Sequence, residues 1–244
     1  MKFTNILGSG ERANIENIQS DFVSLASHQL RTPLSAVKWF SEILIGQKQG
    51  KLNPKQLYYL REIYRSNERA ISLINDLLDV SRIQEGHIHL ELRDTYVEKV
   101  IEEILDSYST LLKSNKVSIN FEIINGPLPK IEADQEKLKR IIINLLSNSI
   151  KYTEAQGKIR ITVEKDTTHL TVSVTDSGIG IPKKDQANIF KKFFRSTNVI
   201  KMSPDGSGLG LFITKSLVDA MGGKISFRSK EGEGTTFYFT LPIK

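Results

Sequence analysis

The sequence predicts an α+β fold: an antiparallel helical hairpin that dimerises into a four-helix bundle, followed by an α/β sandwich. Three observations carry this. Apolar residues recur at helical spacing through residues 11–84. The second half then changes to the period-two alternation of strands. The chain has 244 residues, 39% of them hydrophobic, which is enough for two ordinary domains with packed cores.

Ile15, Ile18, Phe22 and Leu25 have 3-4-3 spacing, a short coiled-coil seam. Beyond Pro33 the apolar set continues through Leu34, Val37, Phe40 and Leu44. Pro33 cannot donate to the carbonyl of Gln29, so a kink is expected there. "GQKQGKLNP" ends this helix. Asn53 is placed to cap a second helix and Pro54 to open it. That helix carries Leu57, Leu60, Ile63, Ile71, Ile74 and Leu78. Two such amphipathic helices leave apolar surface uncovered, and pairing with a second copy covers it.

The second half offers "VSINFEI", "KIRITVE", "HLTVSVT", "KISFRS" and "TTFYFTL" as strands. Helices are expected near 95–114, 134–150 and 208–221. The join falls near "QEGHIHLELRD". The predicted organisation is a linker over 1–14, a hairpin over 15–86, a second linker over 87–94 and the sandwich domain over 95–244.

The chain has no cysteine, which excludes disulfides and cysteine-held zinc. No apolar run approaches the roughly 18 residues that would cross a bilayer. "MKFTNILGSG" lacks the apolar core of a signal peptide. The expectation is a cytoplasmic fragment without membrane contact, any anchor belonging to a longer parent. Net charge is +6. Between 183 and 201, Lys183, Lys184, Lys191, Lys192, Arg195 and Lys201 face a single acid, Asp185. This stretch lies between two glycine-rich segments, so its expected ligand is a phosphate group rather than nucleic acid.

Within "DQEKLKRIIINLLSNSIKYT", Asp134 is placed to cap a helix. Asn144, Asn148, Lys151 and Tyr152 share one face of it, and Ile141, Ile142, Leu145 and Leu146 fill the other side. Two amides and an ammonium beside a core stripe suit a hydrated Mg²⁺ and phosphates, because magnesium keeps much of its water. Alone, the segment is equally a polar helix face. "DSGIGIP" follows a strand, so Asp176 can accept from a base amino group, and Gly178 and Gly180 allow close approach of a flat ring. Alone, it is equally an ordinary turn. "GSGLGL", with Gly206, Gly208, Leu209 and Gly210, opens a helix whose free N–H groups suit phosphate oxygens. It has neither the lysine of a Walker A loop nor the strand that leads into a dinucleotide fingerprint.

The order of these segments is the stronger signal. The asparagine helix, "DSGIGIP", "IFKKFFR", "GSGLGL" and "EGEGTTFYFTLP" resemble the N, G1, F, G2 and final glycine boxes of the histidine protein kinases. "SHQLRTPL" resembles that family's H box. The resemblance covers roughly residues 15–242. It implies an ATP-binding domain of the superfamily shared with DNA gyrase and MutL, the Bergerat fold, behind a dimerising phosphoacceptor hairpin. Position by position, it implies that His28 accepts the γ-phosphoryl group of ATP and passes it to an aspartate of a response-regulator receiver. Asn148 would coordinate Mg²⁺, supported by Asn144, Lys151 and Tyr152. Asp176 would read adenine, with Gly178 and Gly180 shaping its pocket. Residues 196–205 would form a mobile lid with Arg195 at its base. Gly206, Gly208, Leu209 and Gly210 would line the phosphates.

Gln29 departs from the pattern, which has an acid directly after the histidine. Glutamine can fix an imidazole tautomer but takes no proton. Thr32, four residues after His28, matches the family position that orients water for receiver dephosphorylation. Two alternatives therefore stand beside an ATP-dependent histidine kinase. One is an ATP-binding scaffold acting mainly as a response-regulator phosphatase. The other is a DNA-remodelling ATPase of the same superfamily, against which Asn144 argues, since an amide cannot act as general base for water.

Overall fold

The computed structural model describes residues 9–48, 50–202 and 206–243, with the side chains of 9–24, 28, 111, 113–115 and 201 outside the description. Ile15, Ile18 and Phe22 of the expected seam, and the side chain of His28, therefore lie outside the described part. The chain divides into two compact units, Met1–His87 and Ile88–Lys244.

The first unit is a hairpin of α1 (Ser9–Ile45) and α2 (Pro54–Gln84). Helix α1 runs unbroken through Pro33. Asn53 caps α2 through a reciprocal pair of bonds. Its side chain accepts from Gln56 N at 2.9 Å, and Gln56 Oε1 accepts from Asn53 N at 2.9 Å. The register is fixed by polar bonds. Buried Asn67 donates to the Leu34 carbonyl at 2.8 Å, Arg31 to Asn75 at 3.0 Å, and Tyr64 to Glu42 at 3.2 Å. Lys38 pairs with Glu68 at 3.0 Å, which holds the lysine pKa up. Among the described residues the buried hydrophobic side chains of this unit are Ile74, Leu78 and Val80. Leu25 (64% exposed), Leu30, Val37, Phe40 and Leu44 on α1 stay open to solvent, as do Tyr59, Ile63, Leu73 and Leu77 on α2.

The second unit is a two-layer sandwich. Its sheet has the order β2-β4-β5-β7-β6, formed by Ser118–Ile123, Lys158–Lys165, His169–Asp176, Gly234–Pro242 and Lys224–Lys230. Strands β2 and β4 pair in parallel, and the other neighbours are antiparallel. Helices α3 (Val97–Asn115), α4 (Gln135–Tyr152) and α6 (Gly210–Ala220) pack against the sheet and one another. Leu138, Ile141, Ile142, Leu145 and Leu146 of α4 meet the inward set of the sheet, including Ile161, Val172, Val174 and Phe239, with no exposure at all. The alternation read from the sequence is thus the in-and-out pattern of a sheet covered on one side. The sequence reading missed two strands, β1 (Arg93–Thr95) and β3 (Ile131–Ala133), which pair antiparallel. Three residues are too few to show a period.

Candidate nucleotide site

Helix α4 starts at Asp134, whose carboxylate accepts from Lys137 N at 3.0 Å and from Glu91 N at 3.0 Å. One acid therefore caps the helix and fastens the incoming chain to it. The buried stripe of α4 fixes its rotation, so Asn144, Asn148, Lys151 and Tyr152 share its other side. Asn144 donates to Thr214 Oγ1 of α6 at 2.6 Å, and Asn148 lies 3.5 Å from Asn144 Oδ1. The Lys151 ammonium stands 5.4 Å from the centre of the Tyr152 ring. Burial pushes the Tyr152 phenol up, and the positive charge of Arg195 pulls it partly back.

Asp176 ends β5 and is buried. Its Oδ1 accepts from Gly178 N at 3.0 Å and Thr235 N at 3.1 Å, and its Oδ2 from Ser149 Oγ at 3.2 Å. Burial raises its pKa, and those three donors oppose the rise. The carboxylate is held in one orientation, with acceptor capacity left on Oδ2.

The glycines of the loop have a reason the sequence reading did not give. A Cβ on Gly178 would lie 2.4 Å from the Tyr152 carbonyl oxygen. A Cβ on Gly180, at φ +63°, would lie 2.0 Å from that of Lys230. The protein's own backbone by itself excludes a side chain at both positions.

Gly210 opens α6 directly against α4, where its Cβ would meet Asn144 Oδ1 at 2.5 Å. Leu209, buried, sits at the N-cap position and offers no capping side chain. The positive end of α6 therefore carries no side-chain cap. Gly208 packs on the Phe193 backbone, and Gly206 faces the Arg195 guanidinium, its Cβ direction 3.2 Å from Nε.

The expected lid over 196–205 is described as far as residue 202. Ser196 is buried, and residues Thr197–Met202 form helix α5. Thr197 N donates to Asp185 at 2.9 Å, which anchors the first turn. Residues 203–205 lie outside the described part.

The structure thus gathers Asn144, Asn148, Lys151, Tyr152, Asp176, Gly178, Gly180, Arg195, Gly206, Gly208, Leu209 and Gly210 within one unit. His28, Gln29 and Thr32 belong to the other, where Gln29 and Thr32 are exposed on α1. Ser149, Thr214 and Thr235 were missed. Each stood in an expected helix or motif segment with no role of its own, and none announces a polar partner far away in sequence. Among the described residues no group of three or more His, Asp or Glu is placed to hold a metal.

Residues 18–86 match the model of the His Kinase A (phospho-acceptor) domain, and residues 133–244 that of the histidine kinase-, DNA gyrase B- and HSP90-like ATPases. The chain belongs to the sensor histidine kinases. The circadian input-output histidine kinase CikA of Synechococcus elongatus is 35% identical to it over 92% of this chain and 30% of that one. The structure of full-length ShkA in complex with AMPPNP superposes with a TM-score of 0.75 at 30% identity, over 91% of this chain and 45% of that one. The catalytic domain of the histidine kinase ThkA is 33% identical, with a TM-score of 0.55 over 62% of this chain and 97% of that one. ThkA in complex with the response regulator TrrA aligns at 27% identity and a TM-score of 0.62, over 96% of this chain and 64% of that one. The chain spans less than a third of the length of curated relatives that it matches. The two matched ranges fall in separate compact units of the chain. Among the described residues no helix is long and apolar enough to cross a membrane.

Proposed function

We propose that this chain is an ATP-dependent protein-histidine kinase core, which phosphorylates His28 and passes the phosphoryl group to an aspartate of a receiver domain. The observation that carries this is the convergence on one site of an oriented buried carboxylate, an asparagine helix face and an uncapped helix N-terminus. Asp176 Oδ2 would accept from the exocyclic amino group of adenine. The N-terminus of α6 and the basic residues Lys151 and Arg195 would face the phosphates. Asn148 would supply one amide oxygen to a Mg²⁺ that keeps waters and phosphate oxygens as its other ligands. That donor set fits a hard, hydrated cation without a carboxylate cluster.

A neutral imidazole on His28 attacks the γ-phosphorus through a ring nitrogen. The P–N bond forms, the bond to the β-phosphate oxygen breaks, ADP leaves, and the ring gives up the proton on its other nitrogen. At an ordinary histidine pKa of roughly 6.5, most of the imidazole is neutral near pH 7. In the second step an aspartate oxygen of the receiver attacks phosphorus and the P–N bond breaks. The 3-4-spaced apolar residues left open on α1 and α2 support a homodimeric four-helix bundle.

Gln29 favours a second reading: a nucleotide-binding core working mainly as a receiver phosphatase, with exposed Thr32 one turn from His28 orienting water. The deciding experiment incubates wild type and His28→Ala with Mg²⁺ and γ-labelled ATP. Acid-labile, alkali-stable label in wild type alone supports the kinase. Tight ATP binding without label refutes it in favour of the second reading. Gln29→Glu is expected to raise the labelling rate, because a carboxylate can take the ring proton; an unchanged rate would refute that role.

A further inference from the structure

Directly after Arg195 lies a polar cluster that none of the family motifs uses. Asp185 is buried and accepts from Ser196 Oγ at 2.7 Å, Thr197 N at 2.9 Å and Thr197 Oγ1 at 3.1 Å. These donors, Ser196 foremost, hold its carboxyl below the usual range. Asn198 Nδ2 donates to the Gly180 carbonyl at 2.9 Å, and Asn198 Oδ1 lies 2.7 Å from Ser196 Oγ. Ser196 has one proton and two acceptors, so both partners depend on its position.

The acceptor end is anchored on its strand side. Gly180 has no room for a side chain, because the Lys230 carbonyl occupies the Cβ direction. Its neighbour Ile181 donates from N to Ser229 Oγ at 2.8 Å. Gln186 Nε2 bonds the carbonyls of Ile181 and Ser229, each at 3.0 Å. The Asp176 loop is therefore fixed on its strand side, and Asn198 attaches the first turn of α5 to it.

We propose that Asn198 and Asp185 are positioning residues that couple occupancy of the Asp176 loop to the placement of Arg195. This rests on the nucleotide-binding reading above. A base seated against Asp176 orders Gly178–Ile181. The Gly180 carbonyl passes that order to Asn198, and Asn198 passes it to Ser196, which follows Arg195 directly and is also bonded to Asp185. Base recognition and phosphate contact are thereby linked through the protein as well as through the nucleotide.

The test uses the whole chain, Asn198→Ala, Asn198→Asp and ADP, ATP and adenosine as probes. Asn198→Asp keeps the size and the acceptor for Ser196 but cannot donate to Gly180, so it serves if the alanine variant misfolds. Amide hydrogen exchange is followed at 178–182 and at 197–202. In wild type, adenosine is expected to slow exchange in both segments; in the variants it slows only 178–182. ATP affinity is expected to fall roughly tenfold in the variants, about one hydrogen bond's worth, with adenosine affinity changed less than threefold. Equal slowing of 197–202 in wild type and variants overturns the coupling, as does an equal loss of ATP and adenosine affinity. A wild type in which no probe slows 178–182 overturns the nucleotide reading and the coupling with it. Slowing of 178–182 alone in wild type overturns only the coupling.

Discussion

The two units spend their apolar residues differently. In the sandwich, Leu145 and its neighbours on α4 have no exposed surface. In the hairpin, Trp39 and Phe40 are more than half exposed, and Leu77 is 36% exposed. Yet both units have well-made termini and registers: Asn53 caps α2 as Asp134 caps α4. Local structure is complete in both, and a closed apolar core is present in one. The sandwich closes its own core, whereas the hairpin presents half of one and is finished by a second copy under the proposed dimer.

The predictions that sharpen this contrast run from core to surface. Leu145→Ala removes a fully buried side chain and should cost about 3–5 kcal/mol at any protein concentration, measured by denaturant unfolding. Asp176→Asn should leave melting nearly unchanged, because the amide oxygen can still accept from Gly178 and Thr235. It should weaken ATP roughly 100-fold, about 2.7 kcal/mol, by presenting a donor to the base amino group. Its pH dependence has a definite sign. Burial raises the folded-state pKa of Asp176, so the folded protein binds the extra proton. Wild-type stability therefore falls as pH rises from the ordinary carboxylate value through the raised one, and Asp176→Asn lacks that fall.

Leu77→Ala tests the hairpin. If a second copy covers Leu77, the cost is about 2 kcal/mol and the hairpin's melting temperature rises with protein concentration. A cost below about 0.5 kcal/mol without concentration dependence would break the contrast. Asn53→Ala should remove about 1 kcal/mol with its capping box. Glu68→Ala, at an exposed pair with Lys38, should change stability by at most about 0.5 kcal/mol.

The elements legible in the sequence were those with a long period. The five main strands and helices α1–α4 and α6 declared themselves through runs of six residues or more. The caps at Asn53 and Asp134 were legible because capping is a local bond between neighbours. The candidate site was legible as a set of motifs, but its internal wiring was not. Nothing near Asn144 in sequence points to Thr214, and nothing near Asp176 points to Thr235; those bonds exist because sheet register and helix packing bring distant residues together. At Gly178 and Gly180 the sequence shows that a side chain is missing but not that the Tyr152 and Lys230 carbonyls exclude it. Helix α5 was hidden because its six residues follow a basic stretch and take their cap from Asp185, eleven positions before Ser196.

The bond from Thr235 N to Asp176 also sets an order of assembly. Thr235 lies 59 residues beyond Asp176, on the final strand of the chain. During synthesis the asparagine helix and both glycine loops leave the ribosome while Asp176 still lacks one of its three donors. The carboxylate takes its final orientation only when β7 slots between β5 and β6. A chain cut before β7 thus holds nearly every candidate site residue, yet its Asp176 carboxylate lacks the Thr235 donor. Under the proposed function, nucleotide binding therefore needs β7 as well as the loops that carry the motifs.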